Sequence, residues 1–488
     1  MSDLKYVVVG GGIAGVTCAE TLSVLAENAT ITLLSASPLI KTVTNLIQIT
    51  PNIESFDVEE QPYKHLKEGQ CKVQVIYTTV NSLCAQEKRL HLSDGKTLDY
   101  DQLCICTGGK PKLIAVNNPY VLGIRDTESV KEFQKKLKTA QRIVIVGNGG
   151  IATELVYELE GCEVIWAIKD TSISHTFVDA GAAEFFVAHL NKAKANSPEE
   201  LSKRLKYTTN EECEVMTSDK KPVMGSALGP DWAAQLDIRG AQQMSHRVHV
   251  EHEVEVERVL SPDDLTLLGL KACSVDQGQD FTNWPVYVQL TNSKIYGCDL
   301  IVSATGVEPF TEVFLPGNNI DLAPDGGMKV NSKMETSEPH VYAAGDVCTA
   351  CWDPSPYWQQ MRLWSQARQM GCYAAKCMVA ATKGENITLD FCFELFAHVT
   401  TFFNFKVILL GKFNAQNLSN DYEVLLRVTK GQEYVKAILH NNRLVGAILI
   451  GETDLEETFE NLILNGLDLT AFKDNLLEPG IDVDDFFD

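Results

Sequence analysis

Leu4-Lys5-Tyr6-Val7-Val8-Val9-Gly10-Gly11-Gly12-Ile13-Ala14-Gly15 is the stretch whose reading decides the fold. The apolar run ending at Val9 has the character of a parallel strand covered on both faces. Helical spacing begins at Ile13 and lasts to Leu25, and a second apolar run follows at 31–34. Between strand and helix stands Gly10-x-Gly12-x-x-Gly15. Glycines at this spacing let the backbone turn tightly and approach a pyrophosphate, which then sits on the helix N-terminus. Gly10, Gly12, Ala14 and Gly15 are therefore expected to contact a dinucleotide. One part of the pattern is missing. A carboxylate at the end of the second strand ordinarily takes the adenosine ribose. Here that position is Ser35, a weaker acceptor than a carboxylate.

The same unit recurs. Residues 143–146 read as a strand, Gly147-x-Gly149-x-x-Ala152 as its turn, and 164–168 as the next strand. Alanine is tolerated at the third position. Two dinucleotide folds in one chain imply two dinucleotides. The second ribose-reading position is Ile168, followed by Lys169. A lysine there without a carboxylate leaves both NADH and NADPH open.

The rest of the chain sets bounds. At 488 residues it is too long for one core. A formal net charge of −23 argues against nucleic acid as a direct partner, because phosphate binding needs positive patches. No apolar stretch reaches the roughly 18 residues of a membrane span. No basic segment followed by an apolar one marks a secretory signal. The fourteen cysteines have no framework spacing and are expected to be reduced thiols. Residues 191–247 are polar, contain Pro198, Pro222 and Pro230, and read as an insertion in the second unit, with Trp232 as a candidate anchor. From Phe391 onward the pattern turns to strands at 406–410, 423–428, 434–439 and 444–450, then a helix at 455–464, a separate α+β domain. The acidic end, 481–488, reads as a solvated tail.

Further segments resemble the pyridine nucleotide-disulphide oxidoreductase superfamily. Tyr100-Asp101-x-Leu103 leads into Thr107-Gly108-Gly109-x-Pro111, with Cys106 where alanine is usual. Ser303-Ala304-Thr305-Gly306-Val307-x-Pro309 is the second return. Thr336-Ser337-x-Pro339-x-Val341-Tyr342-Ala343-Ala344-Gly345-Asp346 is the most specific. The resemblance implies FAD in the first unit and NADH or NADPH in the second, with hydride passing between them. It implies that Asp346 binds the ribityl chain of FAD, and that Val80, Thr107, Gly108, Gly306 and Gly345 contact cofactor. Stretches such as Trp358-Gln359-Gln360-Met361-Arg362-Leu363-Trp364 are similar to one animal branch of the superfamily. That branch implies a role in oxidative-stress defence, guarding the tRNA ligase complex, in cytoplasm and nucleus. Oligomeric state stays open.

Disulphide reductases of the superfamily carry redox cysteines just after the second strand, and this chain has none in Ser37-Pro38-Leu39-Ile40-Lys41-Thr42-Val43-Thr44-Asn45. Thiolate relay at that place is not expected. In several relatives a lysine near the flavin pairs with a glutamate of the second glycine motif, which here would be Lys41 with Glu154. A Cys-x-x-Cys stands elsewhere, at Cys348-Thr349-Ala350-Cys351, expected at a helix start and read as unpaired thiols. His398 is expected to be structural, and His246, His249 and His252 to lie on a solvated face. The expected fold is α/β, with two Rossmann-like units and an α+β C-terminal domain. The FAD unit (1–122 and 309–390) is split around the NAD(P)H unit (123–308), and the third domain spans 391–488.

Overall fold

The computed structural model of the chain describes residues 4–64, 66, 72–190, 238–241, 247–273 and 283–478. Its first sheet is five parallel strands in the order Val341–Ala343, Gln102–Ile105, Lys5–Val9, Thr30–Ser35, Val73–Tyr77. The second is again five parallel strands, in the order Val121–Leu122, Leu300–Ser303, Arg142–Val146, Glu163–Ala167, Arg247–Glu251. Four neighbouring strands follow the same order in both sheets, so the repeat in the sequence is a repeat of topology but for its edge: Val341–Ala343 is the last strand of its unit in the chain and Val121–Leu122 the first of its own. Each sheet also carries a three-stranded antiparallel companion, 80–99 in the first unit and 256–298 in the second. Strand pairing puts Val121–Leu122 in the second sheet, slightly ahead of the expected start at 123. The chain recrosses where Val307–Pro309 pairs antiparallel with Gly109–Pro111.

The central strands of both sheets are covered on both faces, which is why their residues read as apolar runs. Arg142–Val146 and Gln102–Ile105 are buried along their whole length. The helix Ile13–Leu25 lies against the first sheet, with Val16, Ala19 and Leu22 buried. The long helix Trp364–Lys383 packs beside it. Trp166 is fully buried, and its Nε1 donates 2.7 Å to the Gly147 carbonyl, fixing the second glycine turn from below.

The C-terminal domain is a five-stranded antiparallel sheet ordered Ala397–Phe402, Phe405–Gly411, Arg443–Ile450, Glu433–His440, Tyr422–Thr429. The helix Glu456–Asn465 covers one face. Sequence patterning found four of its strands. It missed Ala397–Phe402, in which polar and apolar residues are mixed. That strand matters most for the site, as shown below. The polar insertion lies outside the described residues except for 238–241, which bridge Glu160 through Arg239, and the strand beginning at Arg247. Trp232, His246 and the acidic end also lie outside the described residues.

The two glycine motifs contain glycines of two physical kinds. Gly10 and Gly147 have φ of 128° and 127°. A Cβ on Gly10 would overlap the Cys106 carbonyl, and one on Gly147 would overlap the Ala304 carbonyl. Gly12 and Gly149 have φ of −80° and −93°, and a Cβ on either would meet no protein atom within 4 Å. Gly10→Ala or Gly147→Ala should therefore destabilise the chain by about 2 kcal/mol or more. Gly12→Ala and Gly149→Ala should each change stability by less than about 1 kcal/mol. Chemical denaturation of the four variants checks this contrast, and equal losses in all four would refute it.

Candidate functional site

A single cavity of about 1770 Å³ runs across both units. A pocket for one small ligand measures roughly 300–1,000 Å³, so this volume suits two dinucleotides. Gly10, Gly12, Ala14, Ser37, Val80 and Asp94 line its first half, and Gly147, Gly149, Lys169 and Asp170 its second. Between them stand Glu154, Phe177, Leu363, Trp364 and His398. The open space beside Gly12 and Gly149 is part of this cavity, so both glycines keep clear a path that the protein itself does not fill.

Most of the expected contacts are on the wall. Thr107, Gly108, Gly306, Gly345 and Asp346 line the cavity with the residues already named. The Asp346 carboxylate makes no hydrogen bond among the described residues, which leaves its oxygens open to hydroxyl donors. Burial pushes its carboxyl above the ordinary range, opposed by the nearby Arg362 and Arg125. Such a carboxylate fits a polyol chain. Two arginines flank it that sequence reasoning left without a role. Arg362 Nε donates 2.9 Å to the Asp346 carbonyl, and its Nη2 donates 2.8 Å to Asp325. Arg125 Nη2 donates 3.2 Å to the Thr107 carbonyl.

Four expected residues are not on the wall. Gly15 serves packing: a Cβ there would overlap the Gly10 carbonyl. Ala152 is fully buried in the core of the second unit. Ser35 is also fully buried, and its hydroxyl donates 2.7 Å to the Ser37 carbonyl. It is turned into the protein and cannot read a ribose, whereas Ser37 lines the cavity. Lys41 is 2% exposed and stands directly across a hairpin from Glu60. Its ammonium pairs with Glu60 and donates 3.0 Å to Thr127. Glu154, the partner expected for Lys41, is on the cavity wall. Nothing in the sequence announces that hairpin register.

A carboxylate that the sequence reading did not assign is present in the second half. The strand ends at Ala167, one residue before the end read from sequence. Ile168 is buried, and the following turn carries Lys169 and Asp170 onto the wall.

The described cysteines form no disulfide or thiol pair on the cavity wall. None of the described cysteines is disulfide-bonded. Cys348 lies in the short strand Cys348–Ala350, not at a helix start. Burial pushes its thiol well up, and its Sγ donates to the Gly345 carbonyl. Cys351 is exposed. Three residues of extended chain carry the two roughly 10 Å apart on opposite faces, beyond the reach of a disulfide. Cys106 is the only cysteine among the described residues that line the cavity. The Cys104 sulfur beside it, together with burial, pushes its thiol well above the ordinary value.

Comparison with known proteins agrees with this geometry. The family model described as pyridine nucleotide-disulphide oxidoreductase matches residues 4–371. The chain belongs to this family. A second model, the rubredoxin NAD+ reductase C-terminal domain, matches 398–467. The chain is 55% identical over 490 residues to pyridine nucleotide-disulfide oxidoreductase domain-containing protein 1 of Homo sapiens, covering 99% of this chain and 98% of that protein. Identity to the protein so named in Dictyostelium discoideum is 38% over 552 residues, covering all of both chains. Among solved structures, the fold is similar to a water-forming NADH oxidase from Lactobacillus brevis bound to NADH (TM-score 0.64, 16% identity, 98% of this chain and 95% of that one). It is also similar to putidaredoxin reductase in its covalent complex with putidaredoxin (TM-score 0.63, 16% identity, 96% and 94%). FAD and NAD(P)H are the cofactors of this family, and the two halves of the cavity fit them.

His398, read from sequence as structural, is 1% exposed and forms part of the wall. Its Nδ1 is 3.1 Å from Ser365 Oγ, and its ring lies 5.0 Å from Trp364. Burial pushes its pKa down to about 3 from an ordinary 6.5. In the folded chain it therefore stays neutral, while the unfolded chain takes up a proton below pH 6.5. The stabilisation is whole above that pH and is lost progressively from pH 6.5 toward 3, by up to about 1.4 kcal/mol per unit. Thermal melts between pH 7 and 4.5 should show a shallower acid slope for His398→Phe than for the natural chain. Parallel slopes would mean that the imidazole is not buried neutral.

Proposed function

We propose that this family member passes a hydride from NAD(P)H to FAD and hands the electrons on without a thiol relay of its own. The observation that carries this reading is the single cavity that joins two glycine turns and has no ionisable thiol where its halves meet. Gly10, Gly12 and Asp346 hold FAD in this reading, while Gly147, Gly149 and the turn at Lys169 hold the nicotinamide dinucleotide. When bound, the flavin supplies two-electron chemistry, and the protein supplies alignment and exclusion of water. Glu154, Phe177 and Trp364 line the place where the two rings meet. In this reading, as the resemblance drawn from the sequence implies, the chain acts in the oxidative-stress response, in cytoplasm and nucleus, protecting the tRNA ligase complex from oxidation. The absence of redox cysteines beside Lys41 agrees with an acceptor or partner from outside the chain.

Anaerobic stopped-flow reduction of the yellow protein by NADH and NADPH, followed by air, tests the reading. Flavin bleaching within seconds is expected, and it should be unchanged in a Cys348→Ser, Cys351→Ser double variant. Fast reoxidation would direct the search to small acceptors. A long-lived charge-transfer band would direct it to a protein partner of the reduced, nucleotide-bound state. A protein that binds no FAD, or a double variant that no longer bleaches, would overturn the proposal.

A further inference from the structure

The segment between the strand Glu163–Ala167 and the helix Ala180–Leu190 is held at two points. The first is the second glycine turn, through Asn148, which stands between Gly147 and Gly149. Asn148 Nδ2 donates 2.8 Å to the Ser172 carbonyl, and its Oδ1 accepts 2.6 Å from Ser174 N. Thr176 Oγ1 donates 3.2 Å to the Asn148 carbonyl. The second point is Asp179, which caps the helix by accepting 2.9 Å from Ala182 N. Its carboxylate also reaches across the domain boundary to the strand Glu433–His440. Oδ1 accepts 3.2 Å from the Tyr434 hydroxyl, and Oδ2 pairs with the Lys436 ammonium. Lys436 is 4% exposed, and its ammonium also donates 3.1 Å to Asn414 Oδ1. Between the two ties stands Phe177, buried and on the cavity wall. Its ring is 3.4 Å from where a Cβ on Gly150 would stand.

A buried ammonium is costly to desolvate, and pairing offsets only part of that penalty. An apolar side chain of similar length would pack in the same place at least as stably. What the ion pair adds is a fixed direction and distance between two domains. Neither Asp179 nor Lys436 lines the cavity, so neither acts on a bound cofactor directly. We propose that Asp179 and Lys436 are positioning residues, which brace the segment against the C-terminal domain and so hold the Phe177 ring in place at the cavity junction for hydride transfer. The assignment rests on reading that junction as the meeting place of the flavin and the nicotinamide. The brace is two residues from the ring, and Val178 between them is fully buried, so a shift at Asp179 is passed on to Phe177. Hydride transfer is sensitive to such a shift, since misplacement by about 1 Å can slow a reaction by about a hundredfold.

Lys436→Met and Asp179→Asn test this, and the asparagine keeps a capping oxygen for the helix. Both variants should hold FAD as the natural chain does, and Lys436→Met should melt no earlier than the natural chain. Each should bind NAD+ and NADP+ within about threefold of the natural chain, with an altered flavin difference spectrum, while anaerobic flavin reduction by NADH or NADPH slows by about tenfold. In a Phe177→Ala background, itself slow, adding Lys436→Met should slow reduction by less than about twofold more, because both act through one ring. Natural reduction rates in both variants would overturn the assignment, as would a Phe177→Ala chain reduced at the natural rate. So would a full further tenfold loss on top of Phe177→Ala, or loss of FAD from both variants, which would make the pair a support of the fold alone. If neither dinucleotide reduced the natural chain, the reading of the junction would itself fall, and the assignment with it.

Discussion

In each unit the carbonyl that follows a returning strand lies where the Cβ of any residue but glycine would be. The Cys106 carbonyl closes on Gly10, and the Ala304 carbonyl closes on Gly147. This contact sets much else. It brings the end of the first strand, the start of the helix and the returning loop together at one point. The helix N-terminus and the loop then face the same space, and the cavity wall follows from that. The second glycine of each motif does the complementary thing. A Cβ on Gly12 or Gly149 would meet nothing, and the open space beside them is part of the cavity. Within one short motif, then, the first glycine answers a demand of the fold and the second a demand of the site.

The repeat, the apolar parallel strands and the position of Asp346 were legible because each depends on local pattern: strand, turn, helix, return. What was not legible depends on register or on a one-residue end effect. Lys41 has its ion pair across a hairpin whose register with Glu60 no spacing rule reveals. Ser35 and Asp170 show the same failure in opposite directions. At the first strand the reading placed a polar residue on the wall, and its hydroxyl in fact turns to the Ser37 carbonyl. At the second, the strand ends at Ala167, so the ribose-reading position, Ile168, is buried, while Lys169, which the sequence assigned to the dinucleotide, is on the wall together with Asp170. Side chains alternate along a strand, so a slip of one residue exchanges wall for core.

The C-terminal domain completes the cavity. His398, Thr400 and Phe402, alternate residues of one edge strand, line it from the far side. Phe402 lies 5.4 Å from Phe177 of the second unit, and His398 accepts or donates through Ser365 at the head of the helix Trp364–Lys383 of the first. Three domains thus converge on one small area, walled by aromatic rings and by an imidazole that stays neutral. The aromatic part of that wall excludes water, and Glu154 beside it supplies the carboxylate on the same stretch.

Cys106 makes the same point from the other direction. Its topological equivalent in the second unit is Ala304, so the position calls for a small side chain under the glycine turn. A thiol meets that need as a small hydrophobe. Its sulfur lies 3.5 Å from that of Cys104. Both are buried in the first core with Cys18, and both thiols are held well above their ordinary pKa. Nucleophilic sulfur chemistry runs through the thiolate, and these surroundings suppress it. The thiols nearest the glycine turn thus serve as packing. Among the described residues of the cavity wall, no sulfur of a cysteine other than that of Cys106 is present.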